Sequence, residues 1–200
     1  MPDIVGQRRA EQGRLRPMLS GSTPTTSLKT DQLLERFASG TPRQRRSLLK
    51  TIDARLDELA GLGPKLLSSF DPDGDDWAAG WLLQLVQQRC PALMPGLISD
   101  PSGGWLVTPS GVGIDFSPLQ TELLHQRFET ADRITSSLLR QLAGDAAVAR
   151  GYVYFSEVPP ISSIDLVSLD RLWTVYSQGR FGFTAQARLL AALGGRYDRL

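Results

Sequence analysis

The feature that most limits the fold is the recurrence of apolar residues at intervals of three and four, punctuated by glycine and proline. Leu48, Leu49, Ile52, Leu56 and Leu59 keep this spacing between Thr41-Pro42 and Gly61. Apolar side chains at that period fall on one face of an amphipathic helix; Thr41 suits its cap and Pro42 its first helical position. Leu33, Leu34 and Phe37 make a shorter segment of the same kind, which Gly40 ends. A third helix is expected to start near Asp76, to place Trp77, Trp81 and Leu85 on one stripe and to stop at Cys90 before Pro91. Residues 27–97 thus predict a small N-terminal helical bundle.

The flanking segments read differently. Residues 1–26 mix Arg, Gly, Pro, Ser and Thr without an apolar period and are expected to form a disordered tail. The tail lacks the apolar region of a secretory signal, and Asp3 and Glu11 interrupt the acid-poor composition of a transit peptide. Residues 98–110, rich in glycine and proline around Trp105-Leu106-Val107, read as a linker with room for a small hairpin.

A second helical block follows from residue 111 to residue 200. Leu119 to Leu124 and Glu129 to Leu142 are its first helices, the latter with Ala131, Ile134, Leu138 and Leu142 on one face and Gly144 behind it. Gly144 to Arg150 reads as a loop, and the aromatics of Gly151–Val158 suit a strand or a short buried helix equally. Ser162 or Ser163 can cap a helix carrying Leu166, Leu169, Trp173 and Tyr176, which Gly179 terminates. Thr184 to Leu193 is the last helix before Gly194-Gly195. The fold class expected is all-α, in two parts.

Composition narrows the function. A content of 41% hydrophobic and 22% charged residues fits a soluble chain with a packed core. Twenty-two Lys and Arg against 21 Asp and Glu leave a net charge of +1, so no bulk field draws nucleic acid or membrane, and an anionic ligand must be met by local charge. The single cysteine forms no internal disulfide, and no apolar run approaches the roughly 20 residues that span a bilayer. The expected location is the cytoplasm, or the plastid stroma in a eukaryote.

Most catalytic chemistry lacks its residues. Asp71-Pro-Asp-Gly-Asp-Asp76 has its glycine at the fourth position and Leu82 at the twelfth, so it fits an acidic helix start better than a calcium loop. His125 is the only histidine, which leaves a zinc site or a Ser-His-Asp triad without further candidates, and it reads as a surface residue at a helix end. No glycine-rich phosphate loop occurs, and Arg43, Arg45 and Arg46 read as a solvated face. A binding module with no bound metal is favoured over an enzyme.

One stretch is specific. Leu172-Trp-Thr-Val-Tyr-Ser-Gln-Gly-Arg-Phe-Gly-Phe-Thr-Ala-Gln186 resembles the signature of the genomes-uncoupled-four family, in which Trp, an aromatic, Ser, Gly, Phe-Gly-Phe and Gln recur at this spacing. Gly113–Gln120, Phe128–Thr135 and Tyr154–Val158 are similar to further family blocks in the right order. The resemblance covers about residues 111–200. The N-terminal block resembles the bundle of cyanobacterial members in organisation alone. Departures are Phe116 for the usual Tyr, Thr184 for Ser, Ile161 near a usual Phe, and an end at Arg196-Tyr-Asp-Arg-Leu200, where members continue into a Trp- and Arg-rich segment. The core domain is therefore expected to be C-terminally short.

The resemblance implies a helical cupped-hand core that holds a flat tetrapyrrole, protoporphyrin IX or magnesium protoporphyrin, and a non-catalytic regulator that stimulates magnesium chelatase in chlorophyll synthesis. Partners would be the porphyrin and the large chelatase subunit, with at most peripheral contact to membrane. A broad apolar disc with two carboxylates calls for aromatic and aliphatic walls and a few cationic or amide donors. Phe155, Val158, Ile161, Trp173, Tyr176, Phe181 and Phe183 are the wall candidates, and Arg150, Arg180 and Gln186 the polar ones. Trp173 and Tyr176 also fit plain core packing with Leu166 and Leu169, and Arg180 fits a surface position as well as a propionate contact. Asp145–Val148 reads as a small lid, and Gly179 and Gly182 as serving backbone geometry, a positive φ at a helix end and close approach of neighbouring chain. The alternative function is a helical interaction module that no longer holds porphyrin tightly.

Overall fold

Four helices open the fold in the computed structural model, which describes residues 28–98 and 104–196. The tail expected at 1–26 lies outside the described residues. Helix α1 spans Thr30–Ser39, α2 Pro42–Ala54, α3 Leu56–Ala60 and α4 Trp77–Arg89. Thr41 and Gln44 form a reciprocal capping box at α2, the Gln44 side chain accepting the Thr41 N–H at 2.9 Å. The apolar run predicted as one helix bends at Arg55, whose side chain ties Leu28, Thr30 and Glu58 together. Phe37 meets Phe70, Trp77 and Trp81 edge to face at 5.6–6.5 Å, so the bundle closes on one aromatic cluster.

The acidic run starts α4 as expected: Asp76 accepts the Ala78 N–H at 2.9 Å. It also pairs with Arg45, which donates to the Ala38 carbonyl as well. Arg45 is therefore an inward strut, and Arg46 lies 6.0 Å from the Trp77 ring. Arg43 and Arg46 are exposed, as the spacing suggests, and Arg45 alone departs from the solvated face.

After the short α5, Met94–Leu97, come α6 (Ser117–Leu124), α7 (Phe128–Ala143), α8 (Asp145–Arg150), α9 (Ser163–Tyr176) and α10 (Phe183–Ala192). No strand occurs among the described residues, and the fold is all-α. Two expectations fail here. The loop at 145–150 is helix α8, with Gly144 (φ 104°) and Gly151 (φ 89°) turning the chain at its ends and Ala147 buried. The aromatic stretch 151–158 is neither strand nor buried helix but an exposed segment ending in a 3₁₀ turn at Phe155–Glu157. His125 caps the end of α6 at the surface, its ring nitrogen 2.8 Å from the Thr121 carbonyl.

One apolar core runs through both halves of the chain. Helix α4 is buried on nearly every side from Ala78 to Val86 because it crosses α9 directly. At the crossing Gly80 faces the backbone of Val175, where a Cβ would come within 2.4 Å of the carbonyl oxygen. Beside it, Gln84 donates to the carbonyls of Leu123 (2.9 Å) and Tyr176 (2.8 Å). The described part of the expected linker is stitched in. Gln120 exchanges two hydrogen bonds with the Leu106 backbone and accepts the buried Tyr176 hydroxyl at 2.9 Å. Arg171 on α9 donates to the carbonyls of Pro72, Gly74 and Val107. Asp165 and Ser168, both buried, hold Ser110, Gly111 and Pro109. Among the described residues no helix is long and apolar enough to cross a membrane.

Two outcomes follow from this packing. Gly80→Ala drives a methyl into backbone that cannot yield, and it lowers the urea midpoint by an amount worth about 1–3 kcal/mol despite the better helix propensity of alanine. Burial pushes the Tyr176 phenol above its ordinary range. The unfolded chain ionises this group near pH ~10 while the folded chain keeps the proton. Its contribution to stability is thus complete below that pH and is lost as pH rises above it. Tyr176→Phe therefore flattens the alkaline fall in stability between pH 9 and 11, read as the urea midpoint of each protein.

Candidate ligand-binding groove

Helix α9 presents apolar side chains on two faces. Leu169, Leu172, Val175 and Tyr176 face the core, whereas Leu166, Val167, Asp170 and Trp173 line a groove against α7 and α10. At about 100° per residue, Leu166 falls with Trp173 and Leu169 with Tyr176, the second pair centred about 60° further round. The single stripe read from the sequence is thus two. A helix with one apolar face for the core and a second open to a cavity is furnished for a ligand as well as for packing.

The groove has two adjoining lobes that share Leu139, Asp170 and Phe183. The first, of about 440 Å³, is almost wholly apolar, walled by Val153, Val158 and Ile161 from the segment before α9 and by Leu166 and Val167. The second, of about 450 Å³, adds Phe128, Thr135, Trp173, Phe181 and Gln186. Each volume lies within the roughly 300–1,000 Å³ of small-molecule sites. Phe128 stacks on Trp173 with centroids 6.2 Å apart, and Phe181 meets both edge-on at 5.9 Å. The Trp173 indole N–H donates to Thr135 Oγ1 at 3.0 Å, and Thr135 donates to the Ala131 carbonyl, which fixes the indole plane.

The Phe-Gly-Phe turn is built by backbone rather than by burial. Gly182 sits at φ 112° with Asp170 Oδ1 2.6 Å from where a Cβ would stand. Asp170 accepts the Thr184 N–H at 3.0 Å and its hydroxyl, which caps α10. Ser177 accepts the Phe181 N–H at 2.9 Å, and Gly179 turns at φ 71°. Phe181 and Phe183 are thereby held on the rim of the groove, on either side of Gly182.

Of the expected site residues, Val158, Ile161, Trp173, Phe181, Phe183 and Gln186 come together in the groove. Four do not. Tyr176 is 1% exposed and spends its hydroxyl on Gln120, so it belongs to the core. Phe155 is 90% exposed at the tip of its turn and lines neither lobe. Arg150 is bound to Glu157 and the Tyr152 carbonyl instead of facing the groove. Arg180 is exposed, its Nε bonded to the Ser177 carbonyl and its head 5.9 Å from the Phe181 ring, outside the lining.

The charged groups lining the groove are acidic: Glu129, Asp132 and Asp170. Sequence reasoning overlooked them, together with Leu139, Phe128 and Leu166 as walls. The helical period of α7 carried a signal, since Phe128, Asp132, Thr135 and Leu139 recur at three and four beside its buried face.

Residues 109–200 match the model of a family described as GUN4-like. A Ycf53-like protein of Synechocystis is 45% identical over 91 residues, which cover 46% of this chain and 39% of that protein. A chloroplastic tetrapyrrole-binding protein of Arabidopsis thaliana is 49% identical over 74 residues, 37% of this chain and 28% of that protein. The chain thus spans well under half the length of these two relatives. A solved structure of GUN4 from Chlamydomonas reinhardtii shares 36% identity over 46% of this chain and 62% of that one, with a TM-score of 0.46. Residues 109–200 of this chain thus resemble the GUN4-like family.

Proposed function

We propose that the groove between α7, α9 and α10 binds a tetrapyrrole, protoporphyrin IX or magnesium protoporphyrin, and that the protein is a non-catalytic regulator stimulating magnesium chelatase in chlorophyll synthesis. The observation that carries this reading is the two-lobed apolar groove with its Phe128–Trp173–Phe181 cluster, within residues 109–200 that match the GUN4-like model, in a chain similar to a relative named for tetrapyrrole binding. An apolar macrocycle gains by leaving water against Leu139, Val158, Leu166 and Phe183, and it stacks on an indole held in plane by Thr135. Gln186 offers an amide at the second lobe.

The electrostatics set the ligand's direction. Asp132 and Asp170 line the second lobe beside Glu129, which is exposed and paired with Arg133, and their negative charge disfavours a carboxylate there. The two propionates therefore point outward, toward the side of the rim where Arg180 lies beside Phe181. The chain supplies apolar walls, one oriented indole and a charge gradient that selects which edge of the macrocycle enters. Cytoplasm or plastid stroma is the compartment that goes with this reading.

Titration of the 200-residue protein with deuteroporphyrin and its magnesium form, followed by tryptophan quenching and the porphyrin absorption band, is expected to saturate in the micromolar range or below. Leu139→Trp, which fills the junction of the lobes, weakens binding by about tenfold or more with the helical circular dichroism unchanged. Absence of saturable binding in folded wild-type protein supports the interaction module instead. Asp132→Asn acts the other way: removal of a lining carboxylate tightens binding of the dianionic ligand by roughly two- to fivefold, more at low salt. A reconstituted chelatase assay, measuring magnesium insertion with and without the protein, tests the regulatory part.

A further inference from the structure

We propose that Arg150 is a positioning residue for the groove, a latch that closes residues 152–157 into a fixed lip so that Val153 and Val158 stand as a preformed wall of the apolar lobe. The inference rests on the groove being the ligand site proposed above.

Arg150 is the last residue of α8, and Gly151 in the left-handed conformation folds the chain back over it. Its guanidinium donates to the Tyr152 carbonyl at 2.9 Å and to Glu157 Oε2 at 2.5 Å. The same carboxylate oxygen accepts the Tyr154 N–H at 2.7 Å, so one ion pair fastens the beginning, middle and end of the lip. The guanidinium also lies over both tyrosine rings, 4.7 and 4.0 Å from their centroids. The two hydroxyls are 3.1 Å apart, and that hydrogen bond is the first cause raising the Tyr152 phenol above its ordinary range.

Little else holds the lip. Tyr152 and Tyr154 are half exposed and Phe155 almost wholly so, which leaves the segment without the apolar burial that fixes most loops. The Arg150 and Glu157 side chains are 22% and 24% exposed, so their attraction is screened less than that of a surface pair. Arg150 Nε is buried and has no hydrogen-bond partner among the described residues. Val153 and Val158, the two wall residues on this stretch, lie within and immediately beyond the latched turn. A wall ordered before binding spares the ligand the cost of ordering it.

The test compares wild type with Arg150→Met, which keeps the apolar stem, Arg150→Lys, which keeps the charge, and Glu157→Gln. Amide hydrogen exchange of the lip is read without ligand, and deuteroporphyrin affinity is read by tryptophan quenching. Arg150→Met and Glu157→Gln are expected to speed Tyr154 amide exchange by about tenfold and to weaken the porphyrin by roughly three- to tenfold, with exchange in α4 and α9 unchanged. Arg150→Lys falls between them and wild type in both readouts. Unchanged exchange in the Met and Gln variants overturns the latch, and faster exchange with unchanged affinity overturns its part in the site. A folded wild type that takes up no porphyrin sinks the proposed ligand instead, whatever the exchange shows.

Discussion

The crossing of α4 over α9 at Gly80 is the constraint on which the rest depends. With no side chain at Gly80, the two backbones approach until the Val175 carbonyl occupies the space a methyl would need. That proximity lets Gln84 reach the carbonyls of Leu123 and Tyr176, and it buries α4 on nearly every side. The N-terminal helices thereby serve as one wall of the core that the C-terminal helices share. Arg171 and Gln120 repeat the same device on either side, each using a long polar side chain to satisfy carbonyls or amides of a segment without regular structure. The inner face of α9 is spent on this work.

Its outer face is left for the groove. Since Leu169, Leu172 and Val175 are anchored from behind, Leu166, Asp170 and Trp173 are presented on a rigid support rather than on a loop. Asp170 links the two roles: it lines both lobes and caps α10, so the rim that carries Phe183 is fastened to the helix that carries Trp173. None of α10 is buried beyond that attachment, and its apolar residues Phe183 and Leu189 are exposed.

Much of this was legible in the sequence, for reasons that differ by element. Helix limits at Thr41, Asp76, Gly144 and Gly179 were readable because capping depends on residues within one turn. The roles of Arg45 and Arg171 were not, because Asp76 lies 31 residues from the first and Pro72 lies 99 from the second, and such partners leave no local trace. Tyr176 and Trp173 look alike in spacing, and only the helix phase set against α4 assigns one to the core and the other to the groove. Arg150 and Phe155 misled for a related reason. A cation and an aromatic suit a porphyrin, but Glu157 at seven residues claims the first, and a tight turn displays the second.

Backbone and indole nitrogen–proton spectra of ¹⁵N-labelled protein, recorded with and without deuteroporphyrin, test the groove most directly. Binding there moves the Trp173 indole resonance and the amides of Leu139, Asp170 and Phe183, and leaves the indoles of Trp77 and Trp81 in place. Unmoved groove resonances, or shifts confined to the Gln87 and His125 surface between α4 and α6, would contradict it.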